Sequence, residues 1–431
     1  MRHPLKYWTW AFAFGSAVHL TLPDIQQPGW LLPAVLEGLG VLLLIRRPNP
    51  LGFFLCFLGT LVPLLWYRDV LTQSMLLTWF AALGFFGSLW PRLNVLESIR
   101  WITAGTYWLA ALHKLNSHFL QPEVSCAHHA WRQIDEHWGQ VPLIQGVGVE
   151  LPILIILLEV FIGCLIVRRS LWLWPTALLF HWPLTITLAP AFGFVMLAGC
   201  ASALTPRQIS QMRSIARQKP VKILVGIVLF LGLEGLLTGG VPSIAILLKG
   251  VVFATIFMVA ILVLVAERGW DRRGPLLKAK LSRFLLVVWI MHGMTPYLAL
   301  QYQHTAAMLS NLRIDADCHN SLIFPASWAS PDPYIRIDEV SIGSGQRPKR
   351  EVRLKDGLWS LTALATMHKN WCITELRPIV MSGTWRDQPF KITDLCNADW
   401  YTHLGLENLE WPGFQGFQKN LSKRCSSACI H

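Results

Sequence analysis

The sequence predicts an all-α, multi-span membrane helical bundle of between about nine and eleven crossings, followed by a small extracytoplasmic α+β domain. Three observations predict it. Hydrophobic residues make up 53% of the 431 residues and charged ones only 14%, with 21 tryptophans, more apolar surface than a water-soluble fold hides. Basic residues gather in short loops, at Arg2/Lys6, Arg46/Arg47, Arg92/Arg100, Arg168/Arg169, Arg207 to Lys222 and Arg268 to Arg283, and all these loops fall on one side of the successive apolar segments. After residue 300 the long apolar runs give way to the alternation of strands. The formal net charge of +12 therefore argues for orientation in a membrane, and no nucleic-acid partner is expected.

The chain opens on Met-Arg-His-Pro-Leu-Lys and a run of bulky aromatics without a small-x-small cleavage site, which reads as a retained first helix rather than a signal peptide. Candidate crossings follow at 7–22, 29–45, 51–67, 70–90, 101–117, 149–167, 171–188, 189–204, 223–238, 244–266 and 284–300. The basic loops then place the N-terminus in the cytoplasm, require an odd number of crossings, and put residues 301–431 outside, in a bacterial inner membrane with lipids as partners. Pro175, Pro183 and Pro190 break the apolar run at 171–204, so that region faces the protein interior. Glu37, Glu159 and Glu234 lie within spans and are expected to point inward.

The most informative segment is Tyr107-Trp-Leu-Ala-Ala-Leu-His-Lys-Leu-Asn-Ser-His118. On a continuous helix Lys114 and His118 share one face, Tyr107 lies two turns below, and Ala110 and Ala111 leave room beneath the lysine stem for a flat ligand or a neighbouring helix. An ionisable group at membrane depth is a functional candidate, against the plainer reading of a lysine that snorkels to the headgroups.

The two expected domains are 1–300, helical, and 301–431, α+β. In the second, Tyr334 to Ile342 and Glu351 to Leu354 alternate like strands, Ser360 to Trp371 reads as a helix, and Pro378 to Ile392 contains another strand. Cys126, Cys318, Cys372, Cys396, Cys425 and Cys429 all fall in segments assigned outside, whereas Cys56, Cys164 and Cys200 lie in apolar spans. An even set in an oxidising compartment reads as disulfides of undetermined connectivity, and the spacing fits no zinc pattern.

Three segments between Tyr107 and Pro325 together resemble the horizontally transferred transmembrane domain family, whose best understood relatives are the vitamin K-dependent γ-carboxylases. They are Tyr107-Trp-Leu-Ala-Ala-Leu-His-Lys-Leu-Asn; Phe180-His-Trp-Pro-Leu-Thr-Ile-Thr-Leu with Phe192-Gly-Phe-Val-Met-Leu-Ala; and His292 to Arg313 with Cys318-His-Asn-Ser-Leu-Ile-Phe-Pro. In the carboxylases a lysine takes a proton from reduced vitamin K, and the oxygenated quinone then removes a γ-proton from a peptide glutamate. The resemblance puts that first role on Lys114, makes His181 a catalytic partner or quinone ligand, and implies a reduced quinone as cofactor, a peptide or protein substrate, and no metal. It places Tyr107, Trp108, Asn116, Trp182, His304, Asn311 and Arg313 at the quinone. His304, Asn311 and Arg313 stand where the last span leaves the membrane, where they either line the pocket mouth or cap the helix and face headgroups. His181 is alternatively a core histidine donating to the carbonyl that Pro183 leaves free. Two departures stand out: His113 replaces a lysine neighbouring the family base, and Trp-Pro follows His181 in place of a polar stretch. The tail is also too short to hold the animal carboxylase's whole luminal part, so its peptide specificity is not carried over.

Three functions compete on these grounds. A quinol-dependent enzyme needs Lys114 buried beside a quinone-sized cavity. A non-catalytic transporter, immunity or assembly factor needs Glu37, Glu159 and Glu234 along one polar path, and a metal-handling protein would use His113, His118, His128 and His129.

Overall fold

The computed structural model describes residues 2–20, 31–66, 72–90, 92–138, 150–170, 172–187, 189–216, 280–301, 305–307, 309–315, 317–329, 334–342, 355–360, 372, 378–397 and 421–425. In chain order the helices are α1 (Arg2–His19), α2 (Leu31–Arg46), α3 (Pro50–Trp66), α4 (Thr72–Leu89), α5 (Val95–His113), α6 (Ser117–Leu120), α7 (Cys126–Trp138), α8 (Glu150–Arg168), α9 (Leu173–Thr187), α10 (Pro190–Ala201), α11 (Pro206–Ala216) and α12 (Lys280–Met294). The strands are β1 (Ile335–Ile342), β2 (Gly357–Trp359), β3 (Ile379–Trp385), β4 (Gln388–Ile392) and β5 (Leu421–Ser422). The protein is thus mostly helical, with a small sheet confined to its C-terminal part.

The chain forms two units. One comprises Met1–Ala111, Ala130–Val147 and Leu154–Ile290; the other comprises Leu112–His129, Gly148–Ile153 and Met291–His431. The boundary expected at 300 therefore moves. The second unit begins earlier and takes in the segment that carries Lys114, because that segment is hydrogen-bonded to residues beyond 300.

In the first unit the expected crossings coincide with α1 to α5, α8 to α10 and α12, while those at 223–238 and 244–266, with Glu234, lie outside the described residues. Among the described residues α8 alone is long and apolar enough to cross a membrane by that measure; Pro50–Leu65, Gln73–Leu89 and Ala191–Ala201 are apolar but shorter. Several helices turn apolar stripes outward. Val35, Leu39 and Leu42 of α2, Leu154, Leu157 and Phe161 of α8, and Phe284, Val287 and Met291 of α12 are all exposed at helical spacing. Large apolar side chains repeated outward on several helices are the informative departure from a water-facing surface.

Packing inside this unit is close. Trp8 and Phe12 of α1 cluster with Phe53 of α3, with ring centroids 5.6 to 6.0 Å apart. Against α2, a Cβ at Gly59 would stand 2.7 Å from the Glu37 backbone nitrogen, so only glycine lets α3 approach so near. The helix ends that carry basic residues also meet. Trp10 Nε1 donates to Ile45 O at 3.0 Å, Ser98 and Ser282 hydroxyls bond at 2.8 Å, and Gln208 Nε2 donates to Arg169 O at 3.4 Å. These contacts join the end of α1 bearing Lys6 to that of α2 bearing Arg46, and the Arg100 end of α5 to the start of α12. The Arg169 turn likewise meets the start of α11.

The second unit holds a five-stranded sheet in the order β4-β3-β1-β2-β5, antiparallel throughout. β1 matches the alternation read at Tyr334 to Ile342. The single strand expected in Pro378 to Ile392 is instead the hairpin β3–β4, because Arg386 and Asp387 both adopt positive φ (50° and 62°), as a two-residue primed turn requires. A bulge in β1 interrupts the register between Ile337 and Glu339 opposite Gly383, where a Cβ would stand 1.9 Å from Arg336 O. The strand expected at Glu351 to Leu354 and the body of the helix expected at Ser360 to Trp371 lie outside the described residues.

Cysteine pairing follows the expected partition. Cys318 bonds Cys425 and Cys372 bonds Cys396, with Cα atoms 5.0 and 5.3 Å apart. Cys126 is disulfide-bonded as well, and Cys429 lies outside the described residues. Cys56, Cys164 and Cys200 are free.

Candidate functional site

Helix α5 begins with Asn94 as its cap, the Asn94 Oδ1 accepting from the Glu97 backbone N–H at 3.2 Å. Two turns before its end it delivers Tyr107 into the first unit, where the hydroxyl and His181 Nε2 of α9 lie 2.5 Å apart and both side chains are buried. Cys200 of α10 lies close enough to the same hydroxyl for the two groups to act on one another. α9 and α10 are separate because the chain breaks at Ala189 (φ −142°, ψ 69°) and resumes with Pro190 at the first helical turn.

Rings enclose His181. The centroids of Phe180, Tyr107 and Phe192 stand 5.0, 5.7 and 6.0 Å from it. Its Nδ1 is buried with no hydrogen-bond partner among the described residues. The imidazole therefore does not take the carbonyl that Pro183 frees. With the Tyr107 hydroxyl donating to Nε2, the ring carries its proton on Nδ1 and leaves Nδ1–H as the open end. Trp108, next to Tyr107, faces elsewhere: its Nε1 donates to Val160 O at 3.4 Å and its indole packs over Gly163 of α8. Trp182 is in α9, and its side chain lies outside the description.

In the second unit the lysine-bearing segment corrects an expectation. Lys114 and His118 do not share a helix face, because α5 stops at His113 and Asn116 turns to an extended conformation (φ −141°, ψ 156°) as the cap of α6. Asn116 Oδ1 accepts from Phe119 N–H at 2.8 Å, while Nδ2 donates to His113 O at 2.8 Å and to Ser310 O at 2.6 Å. One amide thus closes one helix, opens the next and fastens both to a segment almost two hundred residues on. Its polar atoms are all engaged, which makes Asn116 a structural residue.

Lys114 sits in the turn so made. Only 5% of it is exposed, and its Nζ stands 5.8 Å from the Phe119 ring centroid. It does not extend into solvent as a snorkelling lysine does. Beside it His113 bonds the Tyr297 hydroxyl and Thr305 O, each at 3.0 Å, so the imidazole clamps the chain that follows α12. Since Thr305 O can only accept, Nε2 carries the proton and Nδ1 accepts from Tyr297.

Arg313 and Asn311 also have structural partners. Arg313 Nε and Nη2 donate to the two Asp315 oxygens at 2.8 and 2.9 Å, and Nη2 and Nη1 reach Ser422 O and Arg424 O at 2.7 and 3.0 Å. Both ions are buried. Asn311, at φ 57°, accepts from Cys126 N–H at 2.5 Å and donates to Val124 O at 2.8 Å. Neither faces headgroups; both tie loops of this unit together. His304 lies outside the described residues.

Electrostatics at His118 give a testable pH dependence. Burial, with the Arg313 charge, holds its imidazole below the ordinary histidine range, and Asp315 offsets part of that. His319 is displaced in the same direction by burial. A folded-state value below the unfolded one means the unfolded chain binds protons first on acidification, so stability is complete above about pH 6.5 and falls as pH drops through and below it. The unfolding midpoint should decrease between pH 7 and pH 5, and His118→Gln should flatten part of that slope. A midpoint that rises on acidification would contradict the sign.

Glu37 and Glu159 are buried as expected. Glu37 accepts from Ser16 and lies 3.2 Å from His19 Nδ1, whose Nε2 meets Ser74 Oγ at 2.8 Å. Among the described residues no three His, Cys, Asp or Glu come together as a metal site would require. A lone cysteine in an apolar run reads as packing, so nothing local signals that Cys200 lies near Tyr107. Comparison with protein-family models, curated proteins and solved structures finds no match for this chain.

Proposed function

We propose that this is a multi-pass protein of a bacterial inner membrane, N-terminus cytoplasmic and C-terminal unit outside, that uses a reduced quinone and has Lys114 as its base. The membrane reading is supported by the outward apolar stripes on α2, α8 and α12 and by the meeting of basic helix ends. Reporter fusions after residues 215 and 350 are expected on opposite sides of the membrane; the same side for both removes this topology.

One observation carries the quinone reading: His181 Nδ1, buried amid aromatic rings without a hydrogen-bond partner among the described residues. These residues fit a flat ring bearing oxygens. With Nδ1 protonated the imidazole donates to a quinone carbonyl, and in the other tautomer it accepts from a quinol hydroxyl, so one contact serves both oxidation states. A bound reduced quinone supplies an ionisable hydroxyl and two-electron chemistry that no side chain has. Phe180 and Phe192 exclude water there, and Tyr107 fixes the imidazole through Nε2. The base role of Lys114 rests on the carboxylase-like motif and on its burial in the second unit. The test is oxygen consumption by the purified protein given a reduced quinone. His181→Phe should raise the KM for quinol, and a wild-type protein that consumes no oxygen with any reduced quinone refutes the enzyme reading.

A further inference from the structure

The quinone reading makes no use of two arginines of the first unit. Arg100, in the second turn of α5, is 0% exposed, and its Nε, Nη1 and Nη2 are all buried without a hydrogen-bond partner among the described residues. Arg169, in the turn after α8 at φ 51°, has a buried Nε in the same condition. The two lie close enough for the Arg169 charge to act on Arg100, and Glu97 acts on both. Glu97 does not neutralise the pair. It is one carboxylate against two cations, its Oε2 accepts from Asn94 Nδ2 at 3.0 Å, and among the described residues no acceptor meets a guanidinium nitrogen of Arg100.

Burying a charged guanidinium with every donor unmet is among the least favourable arrangements in a fold, and it persists where a ligand completes it. The site is also held in place. Thr205 and Gln208 cap α11 reciprocally, Thr205 N–H donating to Gln208 Oε1 at 2.8 Å and Gln208 N–H to Thr205 Oγ1 at 3.2 Å, while Gln208 Nε2 donates to Arg169 O. That last bond fixes the turn from which Arg169 projects.

We propose that Arg100 and Arg169 form a binding site for a phosphate-type anion. A carboxylate presents two oxygens, which one arginine fork saturates; a tetrahedral phosphate has further edges for a second guanidinium. The group is carried by an acidic phospholipid headgroup or is free phosphate. Under the membrane reading the site lies at the cytoplasmic helix ends, where anionic headgroups are abundant; the free-phosphate form needs no membrane.

The test uses the full-length protein in a neutral detergent, with unfolding midpoints measured at fixed ionic strength. Inorganic phosphate and short-chain phosphatidylglycerol are each titrated against chloride and short-chain phosphatidylcholine. A saturable rise of at least about 3 °C is expected with one of the two phosphate carriers. A response to phosphatidylglycerol alone identifies a headgroup, and a response to inorganic phosphate identifies the free anion. Arg169→Gln, at a half-buried position, is expected to fold and to lose the shift. Arg100→Gln should lose it too, and if that variant does not fold, Arg169→Gln decides. No shift with either carrier, an equal shift with phosphatidylcholine, or an undiminished shift in Arg169→Gln overturns the proposal.

Discussion

Lys114→Arg is expected to lower quinol-dependent oxygen consumption at least about 100-fold while leaving insertion and the unfolding midpoint close to wild type. Arginine keeps the positive charge and most of the length of lysine, but it does not surrender its proton in a protein, so it separates a base from a structural cation. The turn that holds Lys114 is built by Asn116 and its partners, all of which the exchange leaves in place. Lys114→Ala should be equally inactive, and a small exogenous amine entering the vacated space should restore part of its turnover. Full turnover in Lys114→Arg would remove the catalytic assignment and leave the non-enzymatic reading of the chain.

The largest stability effect is expected at Asp315. Asp315→Ala leaves the Arg313 guanidinium buried with two of its hydrogen bonds gone, and removing one member of such a pair costs about 3–5 kcal/mol. Arg313 also holds Ser422 O and Arg424 O, so the loss should spread to β5 at the edge of the sheet, although the Cys318–Cys425 disulfide keeps that strand tethered. Denaturant unfolding followed by tryptophan fluorescence measures it. Replacing both partners with apolar residues, as Arg313→Met with Asp315→Leu, should recover much of the loss, since no unpaired charge then remains. A change below about 1 kcal/mol in Asp315→Ala would mean that water already reaches the pair.

What could be read from the chain depended on how far apart the interacting residues lie. Apolar runs place most of the described helices of the first unit within a few residues, and period-two alternation places β1, because both signals are local. The stop of α5 at His113 was also written locally, in Asn116 followed by Ser-His-Phe, but the apolar pattern running through Leu115 masked it. The hairpin at Arg386-Asp387 was missed for want of the glycine or asparagine that normally marks such a turn. The place of Arg313 is not legible locally because Ser422 and Arg424, which it holds, lie more than a hundred positions further on, beyond any spacing rule. The inward burial of Glu37 and Glu159 follows from the cost of a carboxylate in an apolar run, whereas the Nδ1 of His181 and the donors of Arg100, unmet among the described residues, depend on what the fold brings around them.

The grip of Asn116 on Ser310 sets an order of assembly. A ribosome adding about 5–20 residues per second needs roughly 10–40 s to travel from one to the other, and until it has done so Asn116 lacks its bond to Ser310. A nascent or truncated chain ending before 310 carries the lysine but not the corner that holds it. Translation itself thus delays completion of the corner around the proposed base until nearly three quarters of the polypeptide has been made.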